Sequence, residues 1–211
     1  YIEKSAFWQC YNLTGTPILT NCRQIDSGAF FSCSGLTGTP DLSNCRNLGD
    51  SVFANCSGLT GMPDLQNCIS IKSLTFLGCS GLTGTPNLSN CTSIGYYAFM
   101  GCYNLTGTPD LSKCVNIDYA AFMGCFNLTG TLNLSSCKHI GEKAFWECSK
   151  LTGITNLDNC EILESSAFKN CISLKVVTNL ANCKAIGKDV FKGCNGLKKK
   201  KKGLPQVLQL D

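Results

Sequence analysis

The stretch AFMGCYNLTGTPDLSKCVNI, residues 98–117, is one copy of a motif that returns every 23 residues along the chain. Its Phe recurs without a break at Phe7, Phe30, Phe53, Phe76, Phe99, Phe122, Phe145, Phe168 and Phe191. Because a 23-residue unit is too short to bury its own apolar face, each copy must be covered by its neighbours. The period therefore predicts a solenoid of about nine coils, in which residues 23 positions apart form rows along the axis.

All 17 cysteines of the 211-residue chain fall into two such rows, one beginning at Cys10 and one at Cys22. One interpretation is that they are small buried apolar side chains whose thiols bond weakly to backbone groups. The other is pairing within each coil, Cys10 with Cys22 and so on, which leaves Cys194 single. Bridges between coils are disfavoured because stacked residues have parallel Cβ vectors. No metal site is predicted, since the chain lacks a C-x-x-C pair and has one histidine, His139.

Each coil is predicted to contain one strand and one short helical arm. The segment Thr39–Ser43 and its equivalents are the best strand candidates, because Leu42 faces inward and alternates with polar neighbours. Stacked segments would form a parallel sheet, with the Pro of each segment at the strand start because Pro cannot donate to a ladder. The opposite arm, typified by residues 94–102, is predicted to form a helical turn or short helix that lays Ala98 and Phe99 on the core.

The motif A-F-x-x-C-x-x-L, followed by I-G and repeated every 23 residues, resembles the BspA-like leucine-rich repeat family over residues 2 to 197. That family usually carries an Ile-x-Ile-Pro strand, where this chain has Thr-Pro-Asp-Leu. The resemblance implies a leucine-rich repeat solenoid with short parallel strands on one face and short helices or helical turns on the other. It also implies a surface or secreted binding protein of bacteria or protists, with no enzymatic activity attached to the repeats.

Charge and residue types narrow the expected function. The formal net charge is +4, but Lys198–Lys202 supply five of the 18 basic residues, so the body carries −1 and no nucleic-acid partner is expected. No apolar run reaches the roughly 18 residues of a membrane-spanning helix, so no membrane insertion is expected. His139 occupies a variable, solvent-facing row position without an identifiable catalytic partner. We therefore expect no enzyme and no cofactor.

Two surfaces are candidate binding sites. The first, called the Asx row, would line the exposed face of the sheet with Asp41, Asp64, Asn87, Asp110 and Asn133. The second, called the aromatic–Met patch, contains Tyr96, Tyr97, Met100, Tyr119 and Met123. Each has a structural alternative. The Asx row would then be a solvated row that keeps the array soluble, and the patch residues would lie flat over the core.

The ends of the array suggest two further features. Residues 1–197 form the predicted array, and residues 198–211 form a Lys-rich C-terminal tail or cap. The coil that begins at Ile2 has no polar cap, so we expect either further coils before it or end-to-end self-association with another copy.

The leading hypothesis is a noncatalytic protein-binding or adhesion module of a surface or secreted protein, with a protein or glycan ligand. The alternative is an effector-type intracellular scaffold that recruits a host protein. A remote alternative comes from paired Thr rows, typified by Thr37 and Thr39, because regular Thr rows resemble the faces of ice-binding solenoids.

Overall fold

A computed structural model describes residues 1–197, which form a parallel solenoid with a 23-residue repeat. Residues of neighbouring coils pair in register, so that Ile94 lies between Ile71 and Ile117. The predicted Lys-rich tail or cap, residues 198–211, lies outside the described residues. The repeat solenoid predicted from the sequence is confirmed.

Eleven short strands carry the parallel ladders. They are β1 (Gln24–Ile25), β2 (Asn47–Leu48), β3 (Ser70–Ile71), β4 (Ser93–Ile94), β5 (Asn116–Ile117), β6 (Gly130–Asn133), β7 (His139–Ile140), β8 (Leu151–Thr155), β9 (Ile162–Leu163), β10 (Val176–Val177) and β11 (Ala185–Ile186). β1 pairs with β2, and β3, β4, β5, β7, β9 and β11 pair in that order to form the longest sheet. A third sheet joins β6, β8 and β10. In the first two sheets the second residue of each strand, typified by Ile94, points to the core.

The predicted strand register is wrong for most coils. Residues 39–43 form no strand, although Leu42 is buried as expected. The segment before them contributes two isolated bridges, from Leu36 to Gly15 and from Gly38 to Leu59. Strands form in this arm only in the coils where Leu132, Thr155 and Thr178 stand in place of Pro.

Proline explains this pattern, because it has no N–H to donate to a neighbouring strand. The N–H of Thr178 donates to the carbonyl of Ile154 at 3.2 Å, a bond that a Pro at this position could not make. In the Pro-containing coils the regular ladder therefore lies on the C-x-x-Ile segment instead.

The arm that contains Phe is built from consecutive turns, and its predicted helical character is not confirmed. Within residues 1–197 the only helix is a 3₁₀ turn at Leu157–Asn159, so no helix there could cross a membrane. Two residues per coil, such as Tyr97 (φ 57°) and Gly101 (φ 76°), adopt the left-handed conformation on either side of Ala98 and Phe99. Their N–H groups, and that of Phe99, donate to carbonyls of the next coil at 2.7–3.0 Å. An α-helix would have used these donors within the coil.

The core is organised around a column of nine stacked phenylalanine rings. Successive centroids lie 5.0–5.8 Å apart, with ring planes within 10° of parallel. Ala98 and Phe99 are fully buried, as the sequence predicted. No single strand ladder connects as many coils as the column of phenylalanine rings does. The number of nine complete coils therefore stays a prediction.

The cysteines form two rows of unpaired thiols, all of them within residues 1–197. In the first row, each thiol from Cys33 onward donates to the carbonyl of a Phe 26 residues earlier, as Cys102 does to Phe76 at 3.1 Å. In the second row, most thiols donate to the carbonyl two residues later, as Cys114 does to Asn116 at 3.3 Å. The arrangement agrees with buried, weakly hydrogen-bonding side chains, and no pairing within coils is formed.

Removing one ring from the column should be costly in the middle and mild at the end. We expect Phe99→Ala to lower the free energy of unfolding by about 3–5 kcal/mol, because a fully buried ring leaves a cavity. The matched control is Phe7→Ala, which should cost clearly less because Phe7 is 38% exposed and stacks on one ring only. Urea unfolding measures both values, and equal losses would contradict the stacked-column description.

The thiols should be free but unreactive in the folded protein. Burial raises the pKa of Cys45 to about 11 and that of Cys56 to about 12, so little reactive thiolate forms near neutral pH. In the native protein we expect alkylation only at Cys10, which is exposed, and at Cys183, which is half-buried. After unfolding without reductant, all 17 thiols should be alkylated. A single free thiol after unfolding would instead support pairing within coils.

Candidate functional site

The aromatic–Met patch lies on the Phe arms of neighbouring coils and is held together by Tyr119. Its ring meets that of Tyr97 edge to face, with centroids 5.1 Å apart and planes at 75°. The ammonium of Lys143 donates to the Tyr119 hydroxyl at 3.4 Å. The same Lys143 Nζ lies 5.5 Å from the ring centroid of Tyr119 and 5.4 Å from that of Trp146. Cation–π attraction therefore extends the patch into the next coil.

Lys143 and Trp146 were missed by sequence reasoning, although the repeat contained a signal. Lys143 occupies the same repeat position as Tyr97 two coils earlier, and the coil between them carries the buried Ala120. The small Ala120 side chain leaves space, and the Tyr119 ring contacts Tyr97 and Lys143 in the coils on either side. Hydrogen bonds from Lys143 to Glu142 and then to Tyr119 raise the pKa of Lys143, which keeps it charged.

Some side chains of the aromatic–Met patch are exposed, and others cover the core. Tyr96 is 54% exposed, whereas the other four patch residues are half-buried. Beside them, the rings of Tyr103 and Phe126 stack at 5.3 Å with planes within 8° and are 47% and 38% exposed. The same two coils therefore carry two aromatic pairs, Tyr97 with Tyr119 and Tyr103 with Phe126.

The Asx row is a series of turn-closing side chains. Asp41 Oδ1 accepts the backbone N–H of Ser43 at 2.9 Å, and Asp110 Oδ1 accepts that of Ser112 at 3.0 Å. Hydrogen bonds from Ser43, first through its hydroxyl and then through its N–H, lower the pKa of Asp41.

Neighbouring members of the row are also linked, because the amide of Asn87 donates to Asp64 Oδ1 at 3.0 Å. Asn133 Oδ1 accepts the Ser135 N–H at 3.2 Å. Within residues 1–197, no hydrogen bond joins the Asx row to the aromatic–Met patch.

His139 is the outward residue of β7, next to the buried Ile140, and its side chain is 30% exposed. It is half-buried, and its Nε2 lies 2.8 Å from Glu164 Oε1. Glu164 Oε2 also accepts the backbone N–H of Glu142 at 2.9 Å. Burial favours a higher pKa for Glu164, but these hydrogen bonds and the charge of His139 outweigh it, so the pKa lies below its usual value. No group of three or more potential ligands is placed to hold a metal ion in the described part of the chain.

The two Thr rows do not lie along one flat strand. Each Thr pair flanks a glycine with positive φ, such as Gly38 at 71° and Gly107 at 73°, so the backbone bends between the rows. In two of the pairs, Thr39 and Thr108 also donate their hydroxyls to carbonyls of the next coil. This geometry gives the ice-binding alternative no support.

An open apolar cavity of about 270 Å³ lies at the first coil. Ile2, Phe7, Leu19 and Phe30 contribute to its lining. It coincides with the surface on which the sequence predicted end-to-end self-association, which stays a prediction.

Comparison with known proteins follows the same repeat. The family model described as BspA type leucine rich repeat region, in six copies, matches residues 1–129 and 69–198. A leucine rich cell surface protein from Faecalibacterium prausnitzii is 24% identical with a TM-score of 0.61, over 77% of this chain and 46% of that protein. The chain thus spans less than half the length of that protein.

The leucine rich repeat protein of T. pallidum is also 24% identical, with a TM-score of 0.53 over 83% of this chain and 72% of that protein. At this level of identity both structures show the shared fold. No curated protein sequence matches the chain.

The contact between His139 and Glu164 should make a small part of the stability depend on pH. Because folding lowers the pKa of Glu164, its stabilising effect is present above the unfolded value of about 4.3 and is lost as pH falls through the lower folded value. Glu164 is 43% exposed, so we expect at most about 1 kcal/mol. When pH is lowered from about 6 to about 3, the free energy of unfolding should therefore fall less in Glu164→Gln than in the wild type.

The matched variant is His139→Asn, because Asn47 and Asn116 occupy the same repeat position in other coils. When Glu164→Gln is made in the His139→Asn protein, it should change the pH dependence of the unfolding free energy less than it does in the wild type. Urea unfolding at each pH measures all four proteins, and an undiminished effect would show that His139 does not contribute.

Proposed function

Since the chain belongs to the BspA-type leucine-rich repeat family, we propose that it is a noncatalytic protein-binding or adhesion module. The aromatic–Met patch is its contact surface, and Lys143 and Trp146 extend it. The module acts at the cell surface or in the secreted fraction, a location supported by the description of the Faecalibacterium prausnitzii protein as a cell surface protein.

The composition of the aromatic–Met patch supports a protein ligand. Tyrosine, tryptophan and methionine are enriched at protein interfaces, where tyrosine and tryptophan often contribute most of the binding energy. Tyr96, at 54% exposure, is the side chain best placed to enter a pocket of the partner. Half-buried Met100 and Met123 add polarizable apolar area around it.

The stacked coils lower the entropic cost of binding at this surface. Backbone hydrogen bonds from Tyr97, Phe99 and Gly101 to the next coil hold the arm that carries the patch. The edge-to-face contact of Tyr97 with Tyr119 restricts two of its rings before any ligand arrives. A surface ordered in advance keeps more of its interaction energy as affinity.

The Asx row stays a prediction as a second contact surface. One oxygen of Asp41, Asp64 and Asp110 already closes a turn, so part of the hydrogen-bonding capacity of each carboxylate is used within the solenoid. We therefore assign the main contact to the aromatic–Met patch.

Loss of the exposed Tyr96 and the half-buried Met100 side chains should weaken ligand binding without unfolding the protein. The full chain is applied to an array of purified secreted and cell-surface proteins, and in parallel to a glycan array. We expect this screen to find protein ligands. Their binding should weaken at least about tenfold in the double variant Tyr96→Ser/Met100→Ser, because anchor residues that become buried at an interface typically contribute this much.

The matched control is Tyr1→Ser/Tyr11→Ser, which removes two exposed tyrosines, 68% and 54% exposed, far from the patch. This control should bind like the wild type. Equal binding by the patch variant and the wild type would contradict the assigned surface, and exclusive binding to glycans would contradict a protein ligand.

A further inference from the structure

Charge is distributed unevenly along the solenoid. Residues 1–164 contain eight basic and twelve acidic residues, a formal charge of −4. Residues 165–202 contain ten lysines and one acidic residue, Asp189, a formal charge of +9. The overall value of +4 conceals this polarity. Lys198–Lys202 supply half of the ten lysines, and the other half belong to the described coils.

The lysines of the described coils are Lys169, Lys175, Lys184, Lys188 and Lys192, here called the Lys cluster. Four are exposed, and Lys169 is half-buried. Asp189 lies 3.4 Å from Lys169 and 3.5 Å from Lys192, so one carboxylate serves two ammonium groups. Lys184 pairs with Glu161 at 2.7 Å. Within residues 1–197, Lys175 and Lys188 have no ion pair, so the cluster keeps an excess of positive charge.

The Lys cluster is confined to the last two coils and occupies several of their segments, so it belongs to this end of the solenoid and not to one row along it. Lys175 follows the Leu of the Cys-x-x-Leu segment, Lys184 immediately precedes β11, and Lys188 and Lys192 flank the Phe arm. Adjacent coils are separated by little more than the 5.8 Å between Phe168 and Phe191. Lys169 Nζ and Lys192 Nζ lie 3.4 Å and 3.5 Å from the same Asp189 Oδ2, so these two ammonium groups are closer together than the Debye length of about 8 Å and their fields add.

The type of cation indicates what kind of anion fits. Every basic residue in 165–202 is lysine, whereas the two arginines of the chain, Arg23 and Arg46, lie near the other end. Arginine is favoured where phosphate or carboxylate groups are bound in a fixed bidentate geometry, and lysine acts as a mobile point charge. A cluster made of lysine alone therefore suits a surface with diffuse negative charge.

Exposed apolar side chains accompany the cluster. Ile172 is 52% exposed and Val176 is 46% exposed, on either side of Lys175 in the sequence. Lysines mixed with exposed aliphatic side chains match the charged headgroups and the upper acyl region of an anionic bilayer.

The geometry points to peripheral binding of the C-terminal coils to an anionic lipid bilayer, through the Lys cluster together with Ile172 and Val176. The contact is adsorption to the surface without insertion. It goes beyond the proposed function, because it uses none of the residues of the aromatic–Met patch. Tyr96, Tyr97 and Met100 lie three coils before Lys169, and Trp146 of the extended patch lies in the adjoining coil. Binding by the C-terminal end would therefore leave Tyr96, Tyr97 and Met100 free for a partner.

Vesicle sedimentation with the full chain tests the proposal. One set of vesicles is phosphatidylcholine, and in the other about a third of the lipid is phosphatidylserine. We expect binding to the anionic set only, and its loss when salt rises from about 0.05 M to about 0.5 M. Lys175→Gln/Lys184→Gln/Lys188→Gln/Lys192→Gln should weaken binding at least about tenfold.

The matched control neutralises four exposed cations of the first coils, Lys4, Arg23, Arg46 and Lys72, each changed to Gln. It changes net charge equally and should stay within about threefold of the wild type. Equal weakening in both variants would overturn the assigned surface, because net charge alone would then govern binding. All four changes in the Lys cluster are at exposed positions, and a thermal melt checks that each variant is folded.

Two further experiments test whether Lys198–Lys202 or an anionic polymer accounts for the binding. Changing Lys198–Lys202 to Gln should reduce vesicle binding only in part. If this variant lost all vesicle binding while the Lys-cluster variant bound like the wild type, the role of the coils would be overturned. Soluble polyphosphate should compete weakly, because it offers no apolar region to Ile172 and Val176. Binding to polyphosphate with none to anionic vesicles would overturn the proposal in favour of an anionic polymer.

Discussion

The hydrogen bonding of each coil to the next is the constraint on which the rest of the structure depends. On the Phe arm, alternate backbone N–H groups donate along the axis, as Phe99 does to Ala121 at 2.7 Å. On the opposite segment the two-residue strands do the same. A coil has few partners for these groups within itself, and buried unpaired backbone groups are costly. Neighbouring coils must therefore remain in register, and every side chain becomes part of a row.

The row arrangement explains the residues that the chain repeats. A side chain in the core meets its own kind above and below, which suits flat phenylalanine rings that stack at 5.0–5.8 Å. Cysteine suits a second position, because it is small and apolar and its thiol can make a second hydrogen bond to a carbonyl that already accepts a backbone N–H, as Cys102 does for Phe76. Proline has the opposite effect on hydrogen bonding, and it restricts the ladder of its own arm to single bridges.

The sequence alone was sufficient for everything that follows from the period. It predicted the solenoid, the inward Leu42 and the buried Phe99. It failed where two backbone conformations share one apolar pattern. Residues 39–43 alternate in burial as a strand would without pairing as one, and residues 94–102 bury Ala98 and Phe99 through turns instead of a helix. The pattern of apolar residues reports which side chains face inward, and it does not report where the N–H groups point.

Contacts between unlike positions were the other gap in prediction. Tyr119 contacts Tyr97 and Lys143, each shifted by one position in the repeat, and His139 reaches Glu164 in the next coil. Reading the rows one at a time cannot reveal such diagonal contacts, because each joins side chains from two different rows. The same rule governs function. A perfect repeat would offer every partner the same surface along its whole length, so binding can be local only where rows change residue type. The rows change at two places, the aromatic coils in the middle and the lysine-rich coils at the end, and the two surfaces adjoin where Trp146 is followed by Lys169 in the next coil.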